Sequence, residues 1–272
     1  MKLAFSTLGC PDYGIDQVIE MALTNGYQGI ELRAIEGTTD LASLDAFKGH
    51  GLSATAAKLK NANLDVVCVG TGVKFSEAGK EQQAQNIAET KAAMELAATL
   101  GSPYIRTFGG PVPYTQSYTE TMRWIWEGYN KALELAKEYQ VTMVLETHDD
   151  FSTGKRVMDV IQGVEDSTYL GVLWDILHPY RFGEEPEDTY NLLQDYIYHI
   201  HMKDSKKFDA QGFDFYLLGQ GMIPIQRCLE LLKNGGYSGY FSFEWEKLWH
   251  PEIPEPEIAI PDYPKAFKNI VS

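Results

Sequence analysis

The chain is short of cysteine, of basic charge and of long apolar runs, and each shortage removes a class of protein. The three cysteines among 272 residues, Cys10, Cys68 and Cys228, are odd in number and far apart, so they do not make a disulfide framework. Lys and Arg number 23 against 38 Asp and Glu, a formal net charge of -15. That balance opposes nucleic-acid binding, which rests on basic side chains neutralising phosphates. No stretch approaches the ~18 consecutive apolar residues of a membrane span. The opening run from Met1 to Gly9 is too short an apolar segment for a secretory signal. A cytoplasmic location and a small-molecule ligand are therefore expected, with neither membrane nor nucleic acid as partner.

What is present is an alternation of short apolar runs with segments of helical spacing, repeated eight times without a break in composition. The runs begin at Leu3, Gly29, Leu64, Pro103, Val141, Gly171, Tyr196 and Gly239. Parallel strands joined by helical crossovers form a doubly wound sheet or a closed barrel, and eight units in this length favour a (β/α)8 TIM barrel. One domain over residues 1–272 is expected. The third strand is read as Leu64 to Val69, and helical material between Thr38 and Ala62 is expected to break at Gly49-His50-Gly51. Five of the twelve prolines fall between Pro251 and Pro264, so the segment 250–264 is read as an extended rim before a short helix from Lys265 to Ile270. On strand two, Glu31 and Arg33 share a face and are expected to pair across the barrel mouth.

The last four strands end in groups with metal-ligating chemistry: Glu146 in Glu-Thr-His, Asp175 in Trp-Asp-x-x-His, His201 in His-x-His-x-Lys-Asp, and Glu244 in Phe-Glu-Trp-Glu. In a barrel these ends converge on one mouth. Three carboxylates and one imidazole in a low-dielectric pocket would repel one another unless a cation neutralised them or their pKa values rose. One divalent metal is expected, with oxygen-rich ligation suiting Mn²⁺, Mg²⁺ or Co²⁺ and leaving Zn²⁺ open. His199 shares a face with His201 one layer lower and is read as a satisfied core histidine.

This ordered set, Glu146, Trp174-Asp175-x-x-His178, His199-x-His201-x-Lys203-Asp204 and Phe243-Glu244-Trp245-Glu246, resembles the sugar isomerase and epimerase barrels related to xylose isomerase, ketose 3-epimerases and endonuclease four. The likeness spans nearly the whole chain and is nearest to the single-metal ketose 3-epimerases. It implies that Glu146, Asp175, His201 and Glu244 bind the metal, that Glu146 and Glu244 also exchange protons with substrate, and that His178 either contacts the substrate or supports the metal ligands from behind. Lys203, Glu246 and Arg106 are further candidate substrate contacts, with a salt bridge from Glu246 to Lys203 or Arg106 as the competing reading. The family's arginine after strand seven is replaced here by Lys203, Lys206 and Lys207.

The activity so implied is isomerisation or epimerisation of a ketose or related polyol by proton transfer through an enediolate. A keto-cyclitol dehydratase of the inosose type begins with the same proton abstraction and is the nearest alternative. A DNA-repair endonuclease would need a cluster of zinc ions, a basic face and more than six histidines. A sugar-binding barrel with a structural metal would have no use for paired glutamates. A homo-oligomer is left open, with the Gly109 to Tyr118 loop and the proline-rich segment as the pieces that would reach a second copy.

Overall fold

The computed structural model describes residues 1–209 and 211–271. The chain runs β1 (Lys2–Ser6), α1 (Ile15–Thr24), β2 (Gly29–Leu32), α2 (Gly49–Asn61), β3 (Asp65–Lys74), α3 (Lys80–Leu100), β4 (Tyr104–Phe108), α4 (Tyr118–Tyr139) and β5 (Thr142–Glu146). It continues through α5 (Gly154–Ile161), β6 (Leu170–Asp175), α6 (Leu177–Arg181), α7 (Pro186–Leu193), β7 (Ile197–Met202), α8 (Ile225–Asn234), β8 (Tyr240–Phe243) and α9 (Pro256–Val271). Neighbouring strands are parallel in sequence order and β8 pairs with β1, which closes the expected barrel. Strands covered on both faces need apolar side chains throughout, and β2 and β6 are buried at every position. Among the described residues no helix is long and apolar enough to cross a membrane.

Pairing register sets the site. Asp175 on β6 lies opposite His201 on β7, His201 opposite Ser242 on β8, and Glu146 closes β5 opposite Phe108. Glu244 follows the last residue of β8, so all four expected ligands reach one end of the barrel.

Four local expectations are corrected. The proline-rich segment is not extended after Pro256: α9 is helical to Val271 with Pro261 and Pro264 inside it. A helix-interior proline removes the N–H that would bond the carbonyl four residues earlier. For Pro264 that carbonyl belongs to Ile260, and the Tyr27 hydroxyl donates to it instead at 2.6 Å. The buried stripe of Ala259, Ile260, Tyr263 and Phe267 then holds the helix on the barrel.

Gly49-His50-Gly51 begins α2 rather than breaking it. Gly49 has φ +45° at its start, and a Cβ on Gly51 would lie 1.9 Å from the Asp45 carbonyl oxygen. Strand β3 extends past Val69 to Lys74 through a register shift after Gly70, which carries Lys74 to the mouth. Finally, Glu31 does not pair with Arg33. Its carboxylate lies inside the barrel, fully buried, with His199 and His201.

Candidate metal centre

Four side chains from β5, β6, β7 and the end of β8 meet at the mouth. One ligand atom from each of Glu146, Asp175, His201 and Glu244 lies within 4.8 Å of all the others. His201 Nδ1 is 3.3 Å from Glu146 Oε1, 3.1 Å from Glu244 Oε2 and 4.0 Å from Asp175 Oδ2. All four residues are at most 4% exposed. Both Glu146 carboxylate oxygens, Asp175 Oδ2 and His201 Nδ1 are buried without a hydrogen-bond partner among the described residues. A buried polar atom with no hydrogen bond costs about 1–3 kcal/mol unless a charge compensates. Arg106 and Lys203 lie beside Glu146 Oε2 and Asp175 Oδ2, while Glu146 Oε1 and His201 Nδ1 face each other at 3.3 Å and suit a shared cation. An ion about 2.1 Å from each donor requires donors about 3–4 Å apart, and these residues fit that spacing.

The imidazole is aimed from behind. Glu31 accepts from His201 Nε2 at 3.0 Å, from His199 Nε2 at 2.8 Å and from the Ser242 hydroxyl at 3.1 Å. With Nε2 donating to Glu31, the Nδ1 lone pair faces the three carboxylates, the arrangement by which an outer carboxylate fixes the tautomer of a metal-binding histidine. Burial raises the Glu31 carboxyl pKa, but His201 and His199 more than offset this and hold it far below the usual range. His199 is thus a satisfied core histidine, as its position one layer down implies.

Charge at the mouth is partly balanced by two cations, Arg106 and Lys203. Arg106 Nη1 is 3.2 Å from Glu146 Oε2. Lys203, only 2% exposed, places its ammonium 2.9 Å from Asp175 Oδ2, 2.5 Å from Glu244 Oε2 and 2.6 Å from Glu246 Oε1. Of the two salt bridges weighed for Glu246, the one with Lys203 is formed. Burial would raise the Glu146 pKa, but Arg106 and His201 bring it below the usual carboxylate range. For Glu244, His201 and Lys203 likewise outweigh burial and hold it well below that range. Against the lowering effect of burial, Glu244, Glu31 and Glu146 push His201 well above the usual imidazole range. This spot therefore attracts positive charge strongly.

His178, one turn beyond Asp175 on the short α6, is buried with neither ring nitrogen hydrogen-bonded. Its Nε2 is 3.7 Å from Asp175 Oδ2, and its ring meets those of His148 and Phe213 edge-on. A cavity of about 290 Å³ opens over the centre, lined by Glu146, Glu244 and Glu246 on its floor and by the half-exposed Trp249 at its rim. Arg33 and Lys74 also line it, and the pattern of strand-end carboxylates and histidines gives no hint of either. Glu31 was visible in the sequence, but its partners lie 168 and 170 residues away.

Comparison with known proteins agrees with the architecture. Residues 19–262 match the family described as xylose isomerase-like TIM barrel. L-ribulose-5-phosphate 3-epimerase UlaE of Escherichia coli is 26% identical over 250 residues, covering 89% of this chain and 85% of the relative. Among solved structures, an IOLI protein with a bound zinc atom superposes with TM-score 0.86 at 22% identity, covering 100% of this chain and 98% of that one. A D-psicose 3-epimerase with D-tagatose from Clostridium cellulolyticum H10 gives 0.79 at 16% identity, covering 100% and 98%. The chain belongs to the xylose isomerase-like TIM barrel family.

Proposed function

We propose that the protein is a metal-dependent ketose isomerase or epimerase in which Glu146, Asp175, His201 and Glu244 hold one divalent ion and Glu146 and Glu244 move protons. The observation that carries the reading is the convergence of these four side chains, with ligand atoms that are buried and make no hydrogen bond. Curated relatives that are 3-epimerases support it. A cation at this centre would supply Lewis-acid polarisation of a carbonyl and its neighbouring hydroxyl, acidifying the carbon–hydrogen bond beside the carbonyl.

The protein's own groups do the rest. Strands β5 and β8 are three apart in a ring of eight, so Glu146 and Glu244 approach a substrate from different sides. Both are held ionised at neutral pH, which makes either competent to accept a proton. One takes the carbon-bound proton, the electron pair moving into the new carbon–carbon double bond of an enediolate. The other, having gained a proton from solvent, returns one to the opposite face and inverts the centre. Burial keeps bulk water from the reacting carbon, and the unpartnered ring nitrogens of His178 orient a substrate hydroxyl.

The test pairs occupancy with turnover. Chelator-treated protein should rebind one Mn²⁺, Co²⁺ or Zn²⁺ per chain and then interconvert at least one member of a panel of ketoses and ketose phosphates. Asp175→Asn and His201→Gln should each lose metal affinity. Full occupancy in both variants would remove the ligand assignment, and a metal-loaded protein inert to the whole panel would remove the activity.

A further inference from the structure

Arg33 stands just beyond the end of β2, only partly buried, and its guanidinium makes no hydrogen bond or ion pair with any described residue. Its unpaired donors can therefore still take an anion from solution, and partial removal of the charge from water favours one that compensates it. A like charge adds to the cost of that removal. Burial first, and then the Arg106 guanidinium, bring the Arg33 pKa down to about 10 against the opposing influence of Glu244, Glu89 and Glu146. Glu89 is committed elsewhere, accepting the Gly72 N–H at 3.0 Å.

The chain makes room for this like-charged pair. A Cβ on Gly70 would come 2.9 Å from Arg33 Cδ and 3.1 Å from Arg106 Nη2, so any larger residue on β3 would displace one of the two. The extension of β3 adds Lys74, whose ammonium is 3.9 Å from Glu77 and whose side chain is 39% exposed. Arg106 Nε is also buried without a partner. All three cations line the cavity over the metal centre, on the side of β2, β3 and β4. In a chain of net charge -15 this gathers positive charge on one side of a cavity that also carries Glu146, Glu244 and Glu246.

We propose that Arg33, Lys74 and Arg106 form an oxyanion subsite that receives a phosphate or carboxylate carried by the substrate at the end remote from the reacting carbon. That the anion belongs to a sugar rests on the function proposed above; the subsite itself does not. A guanidinium presents its donors in a fork matched to two oxygens of one anion, and a neutral hydroxyl would leave most of them unused. The subsite lies in the same cavity as Glu146 and Glu244, so one small molecule can reach both.

The experiment titrates the full chain with inorganic phosphate and separately with acetate, by calorimetry. Protein loaded with Mn²⁺ and chelator-treated protein are run in parallel, which separates anion bound to metal from anion bound to arginine. Saturable phosphate binding in both preparations is expected, weakened about tenfold or more in Arg33→Met and in Lys74→Met and partly retained in Arg33→Lys. Phosphate preferred over acetate assigns a phosphate monoester, and the reverse preference assigns a carboxylate.

Absence of binding by either anion would overturn the proposal, as would wild-type affinity in Lys74→Met and in Arg33→Met shown to be folded by circular dichroism. Lys74 is partly exposed, so its variant decides the matter if Arg33→Met does not fold. Arg33-dependent phosphate binding by a protein inert to every sugar would keep the subsite and remove the isomerase reading. Turnover of ketoses with an anion affinity indifferent to both variants would do the opposite.

Discussion

Replacing Glu31 probes how a residue behind the candidate metal centre controls the His201 imidazole within it. Truncation to alanine leaves His199 Nε2, His201 Nε2 and the Ser242 hydroxyl facing a fully buried space with no acceptor. Each orphaned donor costs about 1–3 kcal/mol. Removing one partner of a buried charged group costs about 3–5 kcal/mol. With partial relaxation the two estimates agree on a loss of about 3–5 kcal/mol for Glu31→Ala, measured by urea unfolding at neutral pH.

Glu31→Gln keeps the shape and separates stability from function. The amide has one acceptor oxygen, and His201 Nε2 is 3.0 Å from both Glu31 oxygens, so this ring meets the NH₂ group whichever way the amide turns. If His201 accepts from it through Nε2, the proton moves to Nδ1 and the lone pair aimed at the three carboxylates is lost. Metal affinity should fall by about 10–100-fold, the usual effect of removing an outer-shell partner. A competition titration against a chromophoric chelator reads this directly. Affinity within twofold of wild type in Glu31→Gln, together with unchanged unfolding in Glu31→Ala, would refute the argument that Glu31 sets the His201 tautomer.

Glu146→Gln and Glu244→Gln, assayed at saturating metal, should each lose on the order of 10² to 10⁴ in turnover, the range for general acid and base groups. Near-normal rates at confirmed occupancy would exclude them as the proton carriers. Gly128→Ala on α4 puts a Cβ 2.3 Å from the Phe75 ring and should destabilise by about 1–3 kcal/mol despite the better helix propensity of alanine; a rise in the unfolding midpoint would contradict that packing.

In the β7–α8 loop, Asp214 Oδ1 accepts from the Ser205 hydroxyl and the Lys206 and Lys207 amides, which outweigh burial and lower its pKa. A depressed carboxyl contributes stability above its unfolded value of about 3.9 and loses it as pH falls through the folded value. The Tm gap between wild type and Asp214→Asn should therefore hold from pH 7 to 5 and close below about pH 4. A gap that widens in acid would reverse the assignment.

The barrel was legible because parallel strands covered on both faces must be apolar along their length, and β5 to β8 each stop at a polar group the eye can find. The proposed metal ligands follow from the same rule: Glu146, Asp175, His201 and Glu244 mark where buried strands meet the mouth. What escaped the sequence depends on contacts distant in the chain. Helix α9 survives its prolines because Tyr27, far upstream, supplies the hydrogen bond that Pro264 cannot. Glu31 turns inward because two histidines on β7 wait there, and no spacing on β2 reports them. Arg33 and Lys74 join one cavity only because β3 shifts register after Gly70 and that glycine leaves space for a second guanidinium. Alternation of side chains locates a face, and packing decides which partner on that face a charge will take.

The central claim is proton transfer by paired glutamates, and solvent isotope uptake tests it most directly. A ketose turned over by metal-loaded protein in deuterium oxide should acquire deuterium at the reacting carbon of the product, read by mass spectrometry and proton NMR. The proton that returns comes from a carboxyl group exchanging with solvent, so the label should appear in product from the first turnovers. Product formed with its original hydrogen carried across and no solvent deuterium would contradict the account, pointing to hydride transfer in the same barrel.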